Sequence, residues 1–477
     1  MLTRPRSAYR EAMDPDRDEW RRMLESLLGP EAAEEAMRAL EASGADPAEW
    51  AKASGLAANP QALAAAISQM QRILSSDDGG ESDWRFAHDV ARQVAHAGGD
   101  PSVSAAEAAK VRSVLTVADL WLDAATDLPP SGGPQIAASR AEWVERTLPT
   151  WRDVADPIGV SVADALSSVL AEQLGPGGGL PEELSPAVPG MELGRLVTRL
   201  GRLGFAMQVG QAAGTLSKEV FGGTDTGLPL LREPGLLLVP ANIEAFAEGL
   251  DVEVDEVWHV LAVREAAHAR LFAHVPWLRA HLLGAVDAYA RGIEIDAEQM
   301  EEAVRSIDPT DVDQLRGALS EGIFAPQRTP EQERALVRLE TALALVEGWV
   351  EEVTAAAVAP HLPHAVPLRE MLRRRRAAGG PAEDTFKQLV GLELRPRRAR
   401  DAARLWSIVA RERGISGRDE LWSQLDLFPT AEDLDAPELF LDRRASSDEI
   451  DADLDAALEA ILGGVDDDEA PKENPAE

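Results

Sequence analysis

Apolar residues recur three and four positions apart through Val254, Val257, Trp258 and Leu261, and the same face resumes at Leu271 and Phe272 beyond charged residues. That spacing places one apolar stripe along a helix. The pattern predicts a helix over 251–273, a break at Val275-Pro276-Trp277, and the start of a second helix beyond it. A second long helix is predicted over 330–359. Thr329 is its N-cap, Pro330 occupies its first position and Glu331 to Glu333 fill its first turn. A third, over 192–221, carries Gly201, Gly204, Gly210 and Gly214, a spacing that suits close helix-to-helix approach. These three are expected at the centre of the molecule.

Shorter helical patterns cover 31–42, 61–74, 83–97, 103–126, 137–148, 162–174, 296–306, 311–317, 368–376, 395–404 and 450–462. Pro- and Gly-rich breakers lie at 129–134, 175–190 and 222–229, and a polar linker at 75–82. Asn242 and Asp251 read as N-caps. Only Leu236–Val239 reads as a strand. The fold class is therefore mainly α, a large helical body with at most a short β element. It divides into a charged N-terminal region 1–60, a body 61–441 and an acidic tail 442–477, whose last fifteen or so residues hold too little apolar surface to offset the cost of ordering.

Composition sharpens this picture. Tyr occurs twice and Trp eleven times, so indoles supply much of the large-residue packing between helices. A formal charge of −36 over 477 residues argues against binding to nucleic acid or an anionic membrane. The basic runs 368–376 and 395–404 have acidic neighbours as simpler partners. The chain has no cysteine, which removes disulfides, thiolate ligands and a cysteine nucleophile. Neither an apolar leader nor a stretch of roughly 20 apolar residues is present. The expected location is the cytoplasm, and the expected partner is a protein or peptide not identified by sequence.

The chemistry concentrates in Arg264-Glu265-Ala266-Ala267-His268, one residue away from His-Glu-x-x-His. In that motif two imidazoles four apart share a helix face and one Zn²⁺, and the Glu holds the attacking water. Here Glu265 and His268 are in place, but Arg264 stands at the first-ligand position. A guanidinium stays charged and has no lone pair to offer a metal.

The run REAAHARLFAHVPWLRAHL resembles the bacterial zincin-like (type 2) metallopeptidase family, whose members carry hydrolase and zinc-dependent metalloprotease labels. The likeness extends through 82–95, 214–231, 236–246, 345–355 and 386–406. It implies a zincin-like body, zinc as the family cofactor, Glu265 as general base, His268 as second ligand and Glu347, from LVEGWVEEV, as third. With Arg264 in the first place only two ligands remain, below the three a catalytic zinc normally takes.

One reading is a metal-free pseudoenzyme with a structural or interaction role. Arg264 would then bridge Glu347 and Glu265 in place of the metal, and Arg264→His would restore the zinc pattern. The alternative is an active metallohydrolase that recruits His259, His274, His281 or Glu351. His259 lies about half a turn round the helix from His268 and cannot share its metal. A di-metal reading would need Glu256-x-x-His259 to join Glu265-x-x-His268, yet the two face apart.

Overall fold

The computed structural model describes residues 80–174, 193–291, 329–379 and 398–446, together with Lys387 and Leu454. The helices expected over 31–42, 61–74, 296–306, 311–317 and 450–462, and the loop 175–190, lie outside those residues. So do the region 1–60 and nearly all of the tail. The chain divides into two compact units, Met1–Phe86 with Gly159–Ala206 and Ala297–Ser306, and Ala87–Ile158 with Met207–Asp296 and Ile307–Glu477. In the first, Asp83 is buried beside Arg199 and Arg202, at 3.5 and 3.4 Å.

The helices in chain order are α1 (Glu81–His96), α2 (Ala105–Leu122), α3 (Arg140–Leu174), α4 (Leu193–Leu216), α5 (Pro240–Ala247), α6 (Val254–His274), α7 (Pro276–Arg291), α8 (Pro330–Val358), α9 (Ala365–Ala378) and α10 (Ala399–Asp419). Four short helical turns follow α10. Two three-residue strands, β1 (Gln135–Ala137) and β2 (Leu236–Leu238), pair in parallel with Ile136 opposite Leu237. The protein is mainly α, as the periodicity implies. No described helix is long and apolar enough to cross a membrane.

The second unit is built on α6 and α8. From Val257 to Leu271, α6 is buried on nearly every face. Helices buried all round are normally apolar all round, yet this one carries Arg264, Glu265, His268 and Arg270. Each of those groups therefore needs a partner inside the protein. Around α8 pack α6, α7 and α10. Gly348 permits the approach of α10, since a Cβ there would sit 2.6 Å from both Ala402 Cβ and Ala403 N. Trp349 and Trp406 are fully buried at this seam. The Trp349 indole donates to Asp419 and the Trp406 indole to the Leu345 carbonyl, both at 2.9 Å.

Several local expectations need correction. The helices expected over 137–148 and 162–174 are one, α3, which runs through Pro149 and Pro157. Burial of Trp143, Trp151 and Ile158 along it offsets the cost, roughly 3 kcal/mol each, of proline in a helix interior. Asn242 is no cap, because Pro240 opens α5 two residues earlier. Its amide instead donates to the Ser217 and Val220 carbonyls at 2.9 and 2.6 Å, satisfying backbone beyond the end of α4. The motif helix begins at Val254 with Glu253 as its N-cap, not at Asp251. On α4, added Cβ atoms at Gly210 and Gly214 would strike the Ala87 and Ala91 carbonyls of α1, whereas one at Gly204 would meet nothing. Thr329 caps α8 as expected, in a reciprocal pair with Gln332.

Gly348→Ala should lower stability by about 1–3 kcal/mol, the cost of overpacking a seam that cannot yield. Urea unfolding of the single variant measures it, and an unchanged midpoint would contradict the α8–α10 packing.

Candidate functional site

On α6, Arg264 and His268 lie one turn apart and face α8, where Glu347 meets both. The Arg264 guanidinium donates through Nη2 to both carboxylate oxygens, at 3.2 and 3.0 Å. His268 Nε2 lies 2.9 Å from Glu347 Oε1. A second guanidinium, Arg376 from α9, contacts Oε2. Arg264, His268 and Glu347 are only 8, 1 and 4% exposed, so this is an interior ionic cluster.

Burial by itself would raise the Glu347 pKa. Arg376 and Arg264, with help from His268, outweigh it and hold the carboxyl well below the usual range. Burial lowers the His268 pKa, and the Glu347 carboxylate works against that fall. Both ring nitrogens face oxygens that can only accept, so the single proton of a neutral ring serves one of them, Nε2 towards Glu347 or Nδ1 towards backbone. The Arg264 carbonyl lies 3.0 Å from Nδ1.

Glu265 turns elsewhere. Its Oε1 accepts from the Gly223 and Leu237 amides at 3.0 and 3.2 Å, and its Oε2 from the Thr224 amide and hydroxyl at 3.1 and 2.6 Å. The carboxyl thus serves β2 and the Gly222-Gly223-Thr224 turn as a missing backbone partner. Glycine is required at Gly222, where a Cβ would sit 2.4 Å from Glu265 Oε2. Burial pushes the Glu265 carboxyl up to about 7, against the pull of these donors. None of its hydrogen bonds goes to Arg264, so the expected Arg264–Glu265 bridge is replaced by this turn.

The alternative ligands are held apart from the cluster. His259 stacks on Trp121 with its Nδ1 2.7 Å from the Asp255 carbonyl. His274 reaches the Pro130 carbonyl at 3.1 Å, and His281 meets Trp277 and Phe428 edge-on. Glu351 is taken by Arg369 and Arg373. Glu256 accepts from His364 rather than joining Glu265. Among the described residues no three His, Cys, Asp or Glu side chains gather closely enough to hold a metal ion.

The zincin-like metallopeptidase family profile matches residues 82–441. The chain belongs to that family. Among solved structures it is similar to a putative hydrolase with a novel fold from Chloroflexus aurantiacus, at 18% identity and a TM-score of 0.51, over 76% of this chain and 98% of that one. At that identity the likeness is one of fold. No curated protein matches the chain.

Zinc is the metal a zincin-like metallopeptidase implies, and these residues do not fit it. The cluster offers one imidazole, whose Nε2 is already engaged with Glu347, and one carboxylate whose oxygens are both engaged by guanidinium groups. Among the described residues no group of three ligands includes a replacement for the first histidine. What sequence reasoning missed is Arg376, together with Asp225, whose carbonyl and carboxylate hold the other arm of that arginine at 2.6 and 3.1 Å. The only signal for it was the basic run 368–376, which does pair with acidic residues of α8.

Two outcomes follow. Glu347 and His268 have folded pKa values below their unfolded ones, so the native state binds fewer protons. Their stabilisation is present above those unfolded values and is lost as pH falls through and below them. Unfolding midpoints should therefore drop from pH 7 towards pH 4, with a shallower slope in Glu347→Gln. Glu265 has the opposite sign. Its raised pKa gives stability that is full below about pH 4.5 and fades as pH rises through about 7. Glu265→Gln should cost roughly 1–3 kcal/mol, because either amide orientation sets an N–H against a backbone N–H. Denaturant titration near pH 7 reads that loss, and a fully stable variant would refute the structural duty assigned to Glu265.

Proposed function

We propose that this chain is a metal-free member of the zincin-like metallopeptidase family, a pseudoenzyme that acts as a scaffold or binding protein for a protein or peptide partner. The observation that carries the reading is the Arg264 guanidinium spread across both oxygens of Glu347. A planar, permanently charged fork suits a buried carboxylate, and it stands where the family motif places the first zinc ligand. Two further features support it. The His268 nitrogen that would face a metal faces Glu347 instead, and Glu265, the residue in the general-base position, is consumed by four hydrogen bonds to backbone and Thr224. An activated water needs a carboxylate with acceptor capacity to spare, and this one has none directed at the cluster.

The purified protein is expected to carry no stoichiometric zinc by elemental analysis, and chelator should leave its melting temperature unchanged. Arg264→Ala should cost roughly 3 kcal/mol, the low end for breaking a buried pair, because Arg376 stays on Glu347. One zinc per wild-type chain, lost to chelator together with a hydrolase activity that Glu265→Gln abolishes, would overturn this reading. It would favour an active hydrolase with an unconventional ligand set.

A further inference from the structure

We infer that two arginines, Arg264 and Arg376, stand in for the two positive charges of the metal, and that Arg376 by itself is enough to keep zinc out. The inference rests on the metal-free reading and extends it to a residue outside the motif. The two guanidinium groups reach Glu347 from different helices. Arg264 comes from α6 and touches both oxygens, and Arg376 comes from α9 and contacts Oε2. With Glu347 and Asp225 as counter-charges, the two cations are balanced inside the cluster.

Arg376 is not a loose surface side chain that happens to lie there. Its second arm is fixed by the Asp225 carbonyl at 2.6 Å and carboxylate at 3.1 Å. Helix α9 is anchored on the same face of α8 by Arg369 and Arg373, which share Glu351 one turn beyond Glu347. On its other side Arg375 donates to the Glu219 carbonyl at 2.6 Å and lies 4.4 Å above the Phe221 ring. The guanidinium is therefore pre-placed, and it does not depend on Arg264 for its position.

A consequence follows for the single change that the sequence pattern suggests. Arg264→His completes the His-Glu-x-x-His spelling, yet it leaves Arg376 on the carboxylate oxygen a metal would need. A cation on a ligand oxygen opposes a second cation both by charge and by occupying the lone pair. Zinc competence thus requires removal of both arginines.

The test compares wild type, Arg264→His and the double variant Arg264→His/Arg376→Gln, using zinc titration calorimetry, elemental analysis after dialysis, and melting with and without chelator. The double variant is expected to hold one zinc per chain and to melt higher with the metal. Its affinity should exceed that of Arg264→His by roughly 100-fold, the upper range for changing what surrounds a metal ligand. Arg264→His binding as tightly as the double variant would overturn the inference, as would a folded double variant with no zinc. Zinc in the wild-type protein would instead sink the metal-free reading itself. Should the double variant not fold, Arg264→Gln/Arg376→Gln is compared with the same protein carrying Glu347→Gln. If the arginines are the counter-charge of Glu347, neutralising it raises the melting temperature by several degrees; no rise overturns the inference.

Discussion

A charged carboxylate with almost no exposure sits where α8 meets α6, and the structure around it is arranged to keep it paired. Moving such a group from water to the interior costs several kcal/mol unless cations and hydrogen bonds replace its hydration. Glu347 has two guanidinium groups and an imidazole. That requirement fixes three relations together: which face of α6 meets α8, how far α9 must extend along α8, and why the turn holding Asp225 lies beside them. Loss of either guanidinium would leave the buried carboxylates with an unbalanced charge.

The five-residue motif divides its labour between two directions. Arg264 and His268 face α8, while Glu265 faces β2 and the glycine turn. One helix thereby ties α8 to the small sheet of the unit. The three-residue strands have too few ladder bonds to hold their own register, and a carboxyl taking the Leu237 amide supplies one more partner. These hydrogen bonds are made by protein groups alone.

Much of this was legible from local pattern. The periodicities of α6 and α8 were strong because each is long and has apolar residues at regular spacing, and the Thr329–Pro330 start is a local signal. The Glu347–His268 contact was available only through resemblance to the family, since no spacing rule links residues 79 positions apart. Asn242 misled because its side chain chemistry suits a cap, yet Pro240 starts the helix earlier and leaves the amide to distant carbonyls. Proline in α3 misled in the opposite direction, as burial of large residues outweighed a local penalty. β1 was missed because three residues carry no alternation, and its partner lies a hundred positions away.

The sequence by itself determined the helical class, the existence of α6 and α8 and the identity of the group that cannot bind metal, because a guanidinium lacks a lone pair in any fold. Tertiary structure decided what that group binds, where Glu265 points, and that a second arginine shares the carboxylate. Propensity and periodicity act over a few residues, whereas the pairing of a buried charge is settled by whichever opposite charge the packing of distant helices brings within about 3 Å.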